Sequence, residues 1–500
     1  MSTSPKAIII GSGIAGLATA IRLRVQGFEV SVYEKNAAAG GKLHDLSLQG
    51  FHFDAGPSLF TQPGNIEELF ELAGEPIEEY LHYHRLAVSC NYFYEDGSVI
   101  KAFGDKQLFA KEIAEKTNDT QQSLLSYLDK AANIYNSIGR IFLNFSLHKR
   151  KTFSRAPLLK AMSATRLPYL FRSLHQVNTG HFRDKRTVQL FNRYATYNGS
   201  NPYKAPGILS LIPHLEHNEG SFYPEGGMIS IAHALYRLAV KKGVDFYFDT
   251  PVQRIIHNDR KVIGVVVNAQ NITADVVVSN MDIYLTHKHL LNDDNRAKKI
   301  LRQERSSSAM IFYWGIKKQF PELDLHNILF ADNYQAEFEH LFGKKGIYHD
   351  PTIYINISSK QEPGIQAPAG EENWFVMINV PANKGQDWEA ARNAARSAII
   401  SKINRLLKTD IEPLIAVEAT ADPATIEAAT ATYMGSLYGT SSNTKGAAFL
   451  RHPNFSREIE GLYFAGGSVH PGGGIPLCLK SAGIVAELVA DARRKEPHAH

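Results

Sequence analysis

A chain of 500 residues, 44% apolar and 21% charged, has the composition of a globular protein and is too long for one core, so roughly two to four domains are expected. The formal net charge of +4 is too small to argue for nucleic acid, and Cys90 and Cys478, the only cysteines, suit neither a disulfide framework nor a zinc site. A reducing, cytoplasmic compartment is expected. No basic leader with a small-residue cleavage site opens the chain, and no apolar run approaches the ~20 residues that a membrane span needs.

Lys6 to Ile10 is a short apolar run of the kind a buried parallel strand needs, and Ile14 to Gln26 has helical apolar spacing at Leu17, Ile21 and Val25. Gly27 closes that helix, and Glu29 to Tyr33 gives a second strand. Between the first strand and the helix lies Gly11-Ser12-Gly13-Ile14-Ala15-Gly16, and Glu34 follows Gly16 by 18 residues. This is a Rossmann-type unit, in which the helix N-terminus receives a pyrophosphate and the acid a ribose hydroxyl. A carboxylate there repels a 2′-phosphate and disfavours NADP, which leaves NAD and FAD.

The next turns decide between them. Ala39-Gly40-Gly41-Lys42 and Phe51-His52-Phe53-Asp54-Ala55-Gly56-Pro57-Ser58 add two further glycine-bearing turns. An NAD domain needs only one, whereas an extended FAD touches protein along its whole length. At this point the sequence resembles the large family of FAD-dependent amine oxidases and carotenoid desaturases, with Lys42 standing where the family has a basic residue.

Later segments continue the scheme. Tyr223 to Met228 precedes a helix to about Lys242, Val244 to Phe248 reads as a strand, and Pro251 to Ile256 with Lys261 to Val267 reads as a hairpin about Asn258-Asp259-Arg260. Ala274 to Val278 is a further apolar run. Strand-like runs follow at Ala309–Ile316, Thr352–Ile357 and Trp374–Val380, then a long helix at Trp388–Leu407. The expected fold is α/β: a discontinuous Rossmann-type FAD-binding domain (1–80, 220–300, 440–500), a mixed-sheet substrate domain (81–115, 301–439) and a helical, membrane-associated part (116–219). From Lys149 to Arg186 ten Lys or Arg face one acid, Asp184, and are interleaved with aromatic and aliphatic residues. That mixture suits a helix in the headgroup layer at least as well as a solvated basic face. Peripheral attachment to the inner face of a membrane is expected, with no nucleic-acid partner.

The C-terminal run Tyr463-Phe464-Ala465-Gly466-Gly467-Ser468-Val469-His470-Pro471-Gly472-Gly473-Gly474-Ile475-Pro476 is expected to be neither a helix interior nor an ordinary strand, because glycine costs about 1 kcal/mol against alanine in a helix, and something must approach its backbone closely. His470 to Pro476 is similar to the segment that precedes the last helix in carotenoid desaturases of the phytoene desaturase type. The preceding Gly-Gly-Ser-Val form is more similar to 1-hydroxycarotenoid 3,4-desaturases, with phytoene desaturase as the alternative and an FAD amine or protoporphyrinogen oxidase as a more distant one. The resemblance implies hydride transfer from a long carotenoid to FAD, making a new C=C bond, with oxygen or a quinone as final acceptor and no metal. It assigns cofactor contacts to Gly11, Gly13, Ile14, Ala15, Gly16, Glu34, Lys35, Gly41, Lys42, Pro57, Ser58, Val252, Gly467, Ser468, Ile475 and Pro476. Tyr197 and Met228 are candidate substrate-lining residues, and Cys478 is expected to pack. His470 is the candidate catalytic base, its alternative role being to hold backbone or the flavin edge by a hydrogen bond.

Overall fold

The computed structural model describes residues 4–149, 168–344, 346–444 and 451–494. Its organising layer is a five-stranded sheet in the order Asp245–Tyr247, Glu29–Tyr33, Lys6–Ile10, Val276–Ser279, Leu462–Phe464, parallel throughout. The β-branched runs Ala7-Ile8-Ile9-Ile10 and Val276-Val277-Val278 are buried on both faces, as a covered parallel sheet requires. On one face the helices Ile14–Val25, Ile229–Lys241 and Ile475–Arg493 contribute Leu17, Ile21, Leu235, Leu238, Leu479 and Val485 to a single core. The hairpin Val252–His257/Val262–Val267 supplies Ile255 and Val265 to the core on the other face, against Ile8, Val277 and Leu462.

The strands and helices expected in this layer are found within one or two residues of their expected ends. The strand at the C-terminal edge, Leu462–Phe464, brings residues more than 450 positions from the first strand into the same sheet.

A second, mixed sheet of seven strands runs in the order Ile415–Ala421, Ser308–Ile316, Glu372–Val380, Ile353–Asn356, His326–Leu329, Val88–Phe93, Val99–Phe103. All neighbours are antiparallel except His326–Leu329 with Val88–Phe93. The long helix Trp388–Leu407 is capped by Asp387, which accepts from Ala390 N, and it buries Ile399 and Ile403 in the core of this sheet. Smaller helices pack against the Val88–Phe93 and Val99–Phe103 end of this sheet. Asp105, Thr120 and Asp184 cap three of them, at Lys106–Lys116, Gln121–Ile134 and Lys185–Asn192.

Residues 150–167 of the basic stretch expected at the membrane lie outside the described residues. In its described remainder, Phe171 is 66% exposed. Among the described residues no helix is long and apolar enough to cross a membrane. Leu17, buried between the parallel sheet and two helices, marks the part of the fold on which the rest is built. Leu17→Ala is expected to lower stability by about 2–5 kcal/mol, read as a shift of the urea unfolding midpoint.

Candidate functional site

The turn after the first strand is built for close approach. Gly11 has φ +96° and donates its N–H to the Tyr33 carbonyl (2.8 Å), which folds the chain back over the sheet edge. A Cβ on Gly16 would stand 2.1 Å from the Gly11 carbonyl oxygen, so the helix can pack this tightly on the turn only with glycine there. Gly13 begins the helix without a side-chain cap, leaving the Ile14 and Ala15 N–H groups without a side-chain partner among the described residues. Glu34, buried at the end of the second strand, accepts from Ser12 N (2.8 Å) and Ser12 Oγ (3.0 Å) through Oε2 and from Asn36 N (2.9 Å) through Oε1. A carboxylate offers about four lone-pair sites, so acceptor capacity remains for a ligand hydroxyl.

The two glycine-rich ends of the chain meet at Asn280. Its Oδ1 accepts from Gly16 N (3.2 Å) and its Nδ2 donates to the Ala465 carbonyl (3.0 Å). A Cβ at Gly13, Gly16 or Gly466 would fall 2.9, 3.1 or 2.5 Å from the atoms of that amide. Ser468, two residues further on, accepts from Ile283 N through Oγ (2.9 Å).

From this junction opens a cavity of about 730 Å³. One part of its wall is the cradle: Gly11, Gly13, Ile14, Ala15, Glu34, Lys35, Val252, Gly41, Lys42, Pro57, Ser58, Gly467, Ser468, Ile475 and Pro476. The other part is a mostly apolar chamber, floored by Ile311, Tyr313, Phe375 and Met377 of the mixed sheet and closed by Ile208, Leu209, Ile212 and Leu215. Two cations face the cavity without a carboxylate partner among the described residues. Lys42 Nζ donates to the Leu437 carbonyl (2.7 Å), and Arg451 to the Tyr438 (2.7 Å) and Gly467 (3.3 Å) carbonyls. Burial lowers the pKa of both, that of Arg451 to about 10, so Arg451 remains positive at neutral pH. Buried cations left without a countercharge suit an anionic ligand.

A second polar group sits on the chamber wall. Arg193 bonds the Tyr92 hydroxyl (2.7 Å) and Glu216 (3.3 Å), while the Tyr197 hydroxyl donates to Glu216 in a short hydrogen bond. Burial works against charge on Glu216, but Arg193, His217 and the Tyr197 bond together hold its pKa below the usual range. It is ionised.

The structure thus brings nearly all the expected cofactor residues and Tyr197 to one cavity, Gly16 acting from behind through packing rather than as lining. Two expected roles are corrected. Met228 is 2% exposed and packs in the core beneath the parallel sheet, not against the cavity; its N–H caps onto Asp54 Oδ1 (2.7 Å). His470 is fully buried away from the cavity lining, and its Nε2–H donates to the Phe145 carbonyl (3.0 Å). Burial lowers its pKa to about 4. It therefore serves the alternative role of holding backbone, here tying a helical segment to the C-terminal turn, and is not placed to take a proton from a substrate. Cys478, expected to pack, also reaches the cavity. Sequence reasoning missed Asn280, Arg451 and the Arg193–Glu216 pair, none of which belongs to a glycine-rich motif.

Burial lowers the pKa of His217, His287, His326 and His470 to about 4 and that of His452 to about 3. An unfolded chain takes up a proton at each of these below about pH 6.5, and the folded chain refuses it until about pH 4. Stability is therefore expected to be full above that window and to fall with acidification through it. The loss is about 1.4 kcal/mol per pH unit for each such histidine, and a thermal-unfolding series between pH 8 and about pH 4 checks it.

Comparison with known proteins agrees with this geometry. The family model for flavin containing amine oxidoreductases matches residues 14–490. The 1-hydroxycarotenoid 3,4-desaturase of Flavobacterium sp. (strain P99-3) is 52% identical over 486 residues, covering 97% of this chain and 99% of the relative. The 4,4'-diapolycopene oxygenase of Methylomonas sp. is 32% identical over 493 residues, covering 97% and 98%. In fold, an oxidoreductase from Methanosarcina mazei superposes with a TM-score of 0.63 at 14% identity, covering 97% of this chain and 100% of that one. Putrescine oxidase gives 0.62 at 13%, covering 99% and 100%. From the glycine turn at its N-terminus to its last helix, this chain belongs to the flavin containing amine oxidoreductase family.

Proposed function

We propose that this protein is a carotenoid desaturase that removes two hydrogens from adjacent carbons of a long polyene, and that its reaction is 3,4-desaturation of a 1-hydroxylated carotenoid. The observation that carries the proposal is a single cavity joining the dinucleotide cradle to an apolar chamber, in a chain 52% identical along 97% of its length to a 1-hydroxycarotenoid 3,4-desaturase.

FAD is the cofactor, and the residues present fit it. Gly11, Gly13, Ile14 and Ala15, with Gly16 packed behind them, would take the pyrophosphate; Glu34 and Lys35 the ribose; and Val252 the adenine. Gly41, Lys42, Pro57, Ser58, Gly467, Ser468, Ile475 and Pro476 would meet the ribityl chain and ring. When bound, the flavin supplies a hydride acceptor. The protein's share is alignment and field. Ile311, Phe375 and Met377 offer a polyene a dry wall, Tyr197 lies along the same chamber, and Lys42 with Arg451 places positive charge where a reduced cofactor is negative. Because conjugation already stabilises positive charge on the substrate carbon, little beyond orientation is asked of the side chains.

The division into cofactor, substrate and helical parts stays as set out from the sequence. A substrate dissolved in lipid needs a route from the bilayer. The basic, aromatic-rich stretch Lys149 to Arg186, which contains exposed Phe171, supports peripheral attachment at the inner face of the cytoplasmic membrane. Oxygen or a membrane quinone would reoxidise the cofactor.

Two measurements test this. Glu34→Ala removes the charged acceptor of the cradle and is expected to weaken FAD binding roughly 10–100-fold, read by flavin fluorescence titration. Holoprotein incubated in liposomes with hydroxylated and unhydroxylated polyenes, followed by chromatography, is expected to convert the hydroxylated one to a product lighter by two hydrogens. Consumption of phytoene alone would overturn the assignment.

A further inference from the structure

The chamber floor changes character from one strand to the next. Ile311 and Tyr313 lie beside Met377 and Phe375, and Met377 lies beside Tyr354, whose other neighbour is Ile328 two residues beyond His326. A greasy surface thus ends in a phenol and an imidazole, both lining the cavity. His326 is 3% exposed. Its Nδ1 lies 3.2 Å from Asn356 Nδ2, which can only donate, and 2.8 Å from the Tyr354 hydroxyl. Nδ1 is therefore the accepting nitrogen, and the proton of the neutral ring sits on Nε2. That Nε2–H is buried and has no hydrogen-bond partner among the described residues. Buried donors are almost always paired, so one left unpaired on a residue that lines the cavity points to a ligand acceptor.

We propose that His326 is the specificity-determining residue that reads the substrate's terminal hydroxyl, its Nε2–H donating to the hydroxyl oxygen. This rests on the reading of the site as a hydroxycarotenoid desaturase. In a 1-hydroxylated polyene the oxygen is only three bonds from carbon 3, so whatever reads it must stand close to the reacting bond. His326 meets that demand. Ser58, a ring neighbour in the proposed cofactor site, bonds the Tyr354 hydroxyl at 2.7 Å, and the same hydroxyl reaches His326. One phenol separates the cofactor's expected edge from the open donor. A polyene without the oxygen would seal this donor against hydrocarbon and be disfavoured, whereas the apolar strands on the other side of Tyr354 accept either chain equally.

The test compares a 1-hydroxylated polyene with its unhydroxylated counterpart of equal length, by kcat/KM and by equilibrium binding followed through the polyene absorption band. Wild-type holoenzyme is expected to prefer the hydroxylated compound. His326→Leu should shrink that preference about tenfold or more, and His326→Gln, which keeps an N–H donor, should restore most of it. A preference unchanged in His326→Leu overturns the proposal while leaving the desaturase assignment standing. Selective binding that depends on His326 without any product would support the hydroxyl reader and defeat the desaturase assignment. Should His326→Leu lose its flavin or fail to fold, the wild type with a 1-methoxy analogue decides. The ether keeps the acceptor and is expected to follow the hydroxyl compound, and behaviour like the unhydroxylated chain overturns the proposal.

Discussion

The site depends on one amide side chain. Asn280 hangs from the end of the strand Val276–Ser279 with Gly16 on its oxygen and Ala465 on its nitrogen, so the helix that receives the pyrophosphate and the C-terminal turn that closes the cavity are registered through the same group. The glycines around it exist to let it in. At Gly13, Gly16 and Gly466 a methyl group would press on that amide at 3.1 Å or less. The glycine motifs at the two ends of the chain are therefore two halves of one packing problem, with Asn280 as the common partner.

Electrostatics in the cavity divides along the same line. On the cradle side, Lys42 and Arg451 face the cavity bonded to carbonyl oxygens and, among the described residues, in no ion pair with a carboxylate, which suits a ligand that brings negative charge. On the chamber side, charge is cancelled before it reaches the cavity: Arg193 and Glu216 neutralise each other inside a shell of Tyr92, Tyr194 and Tyr197 rings. An ion pair left incomplete there would be strongly destabilising, so the chamber stays hospitable to hydrocarbon only because the pair is complete. The buried histidines obey the same economy, since burial keeps each of them neutral.

How much of this was legible in the sequence follows from range. Four strands of the parallel sheet, the glycine turns and the long helix Trp388–Leu407 are written in local periodicity and local turn chemistry, and they stand where that pattern puts them, whereas the fifth strand, Leu462–Phe464, lies in a run that its glycines mark as no ordinary strand. The mixed sheet was only half visible. Strands Val88–Phe93 and His326–Leu329 carry Ser89, Asn91, His326 and Asn327 among their apolar residues, and their partners are remote, so no alternation announces them. His470 misled because its motif is glycine-rich and local, whereas the carbonyl that captures it belongs to Phe145, 325 residues away. Met228 misled in the opposite sense: its neighbourhood is the turn that binds Asp54, and nothing in the residue type says that its side chain turns inward. Arg451 and Asn280 act through backbone carbonyls and amides of distant segments, which no spacing rule records.

The strand Leu462–Phe464 forms the outer edge of the sheet begun by residues 6–10, and the wall beyond it comes from the last forty residues. During synthesis, the first glycine turn leaves the ribosome long before the segment that completes its pocket exists. The nucleotide can be gripped at both ends only once residues 467–476 have been made, so the cradle is completed well after its first half. The nascent chain must meanwhile keep an unfinished parallel edge and a hydrocarbon-lined hollow out of contact with its neighbours.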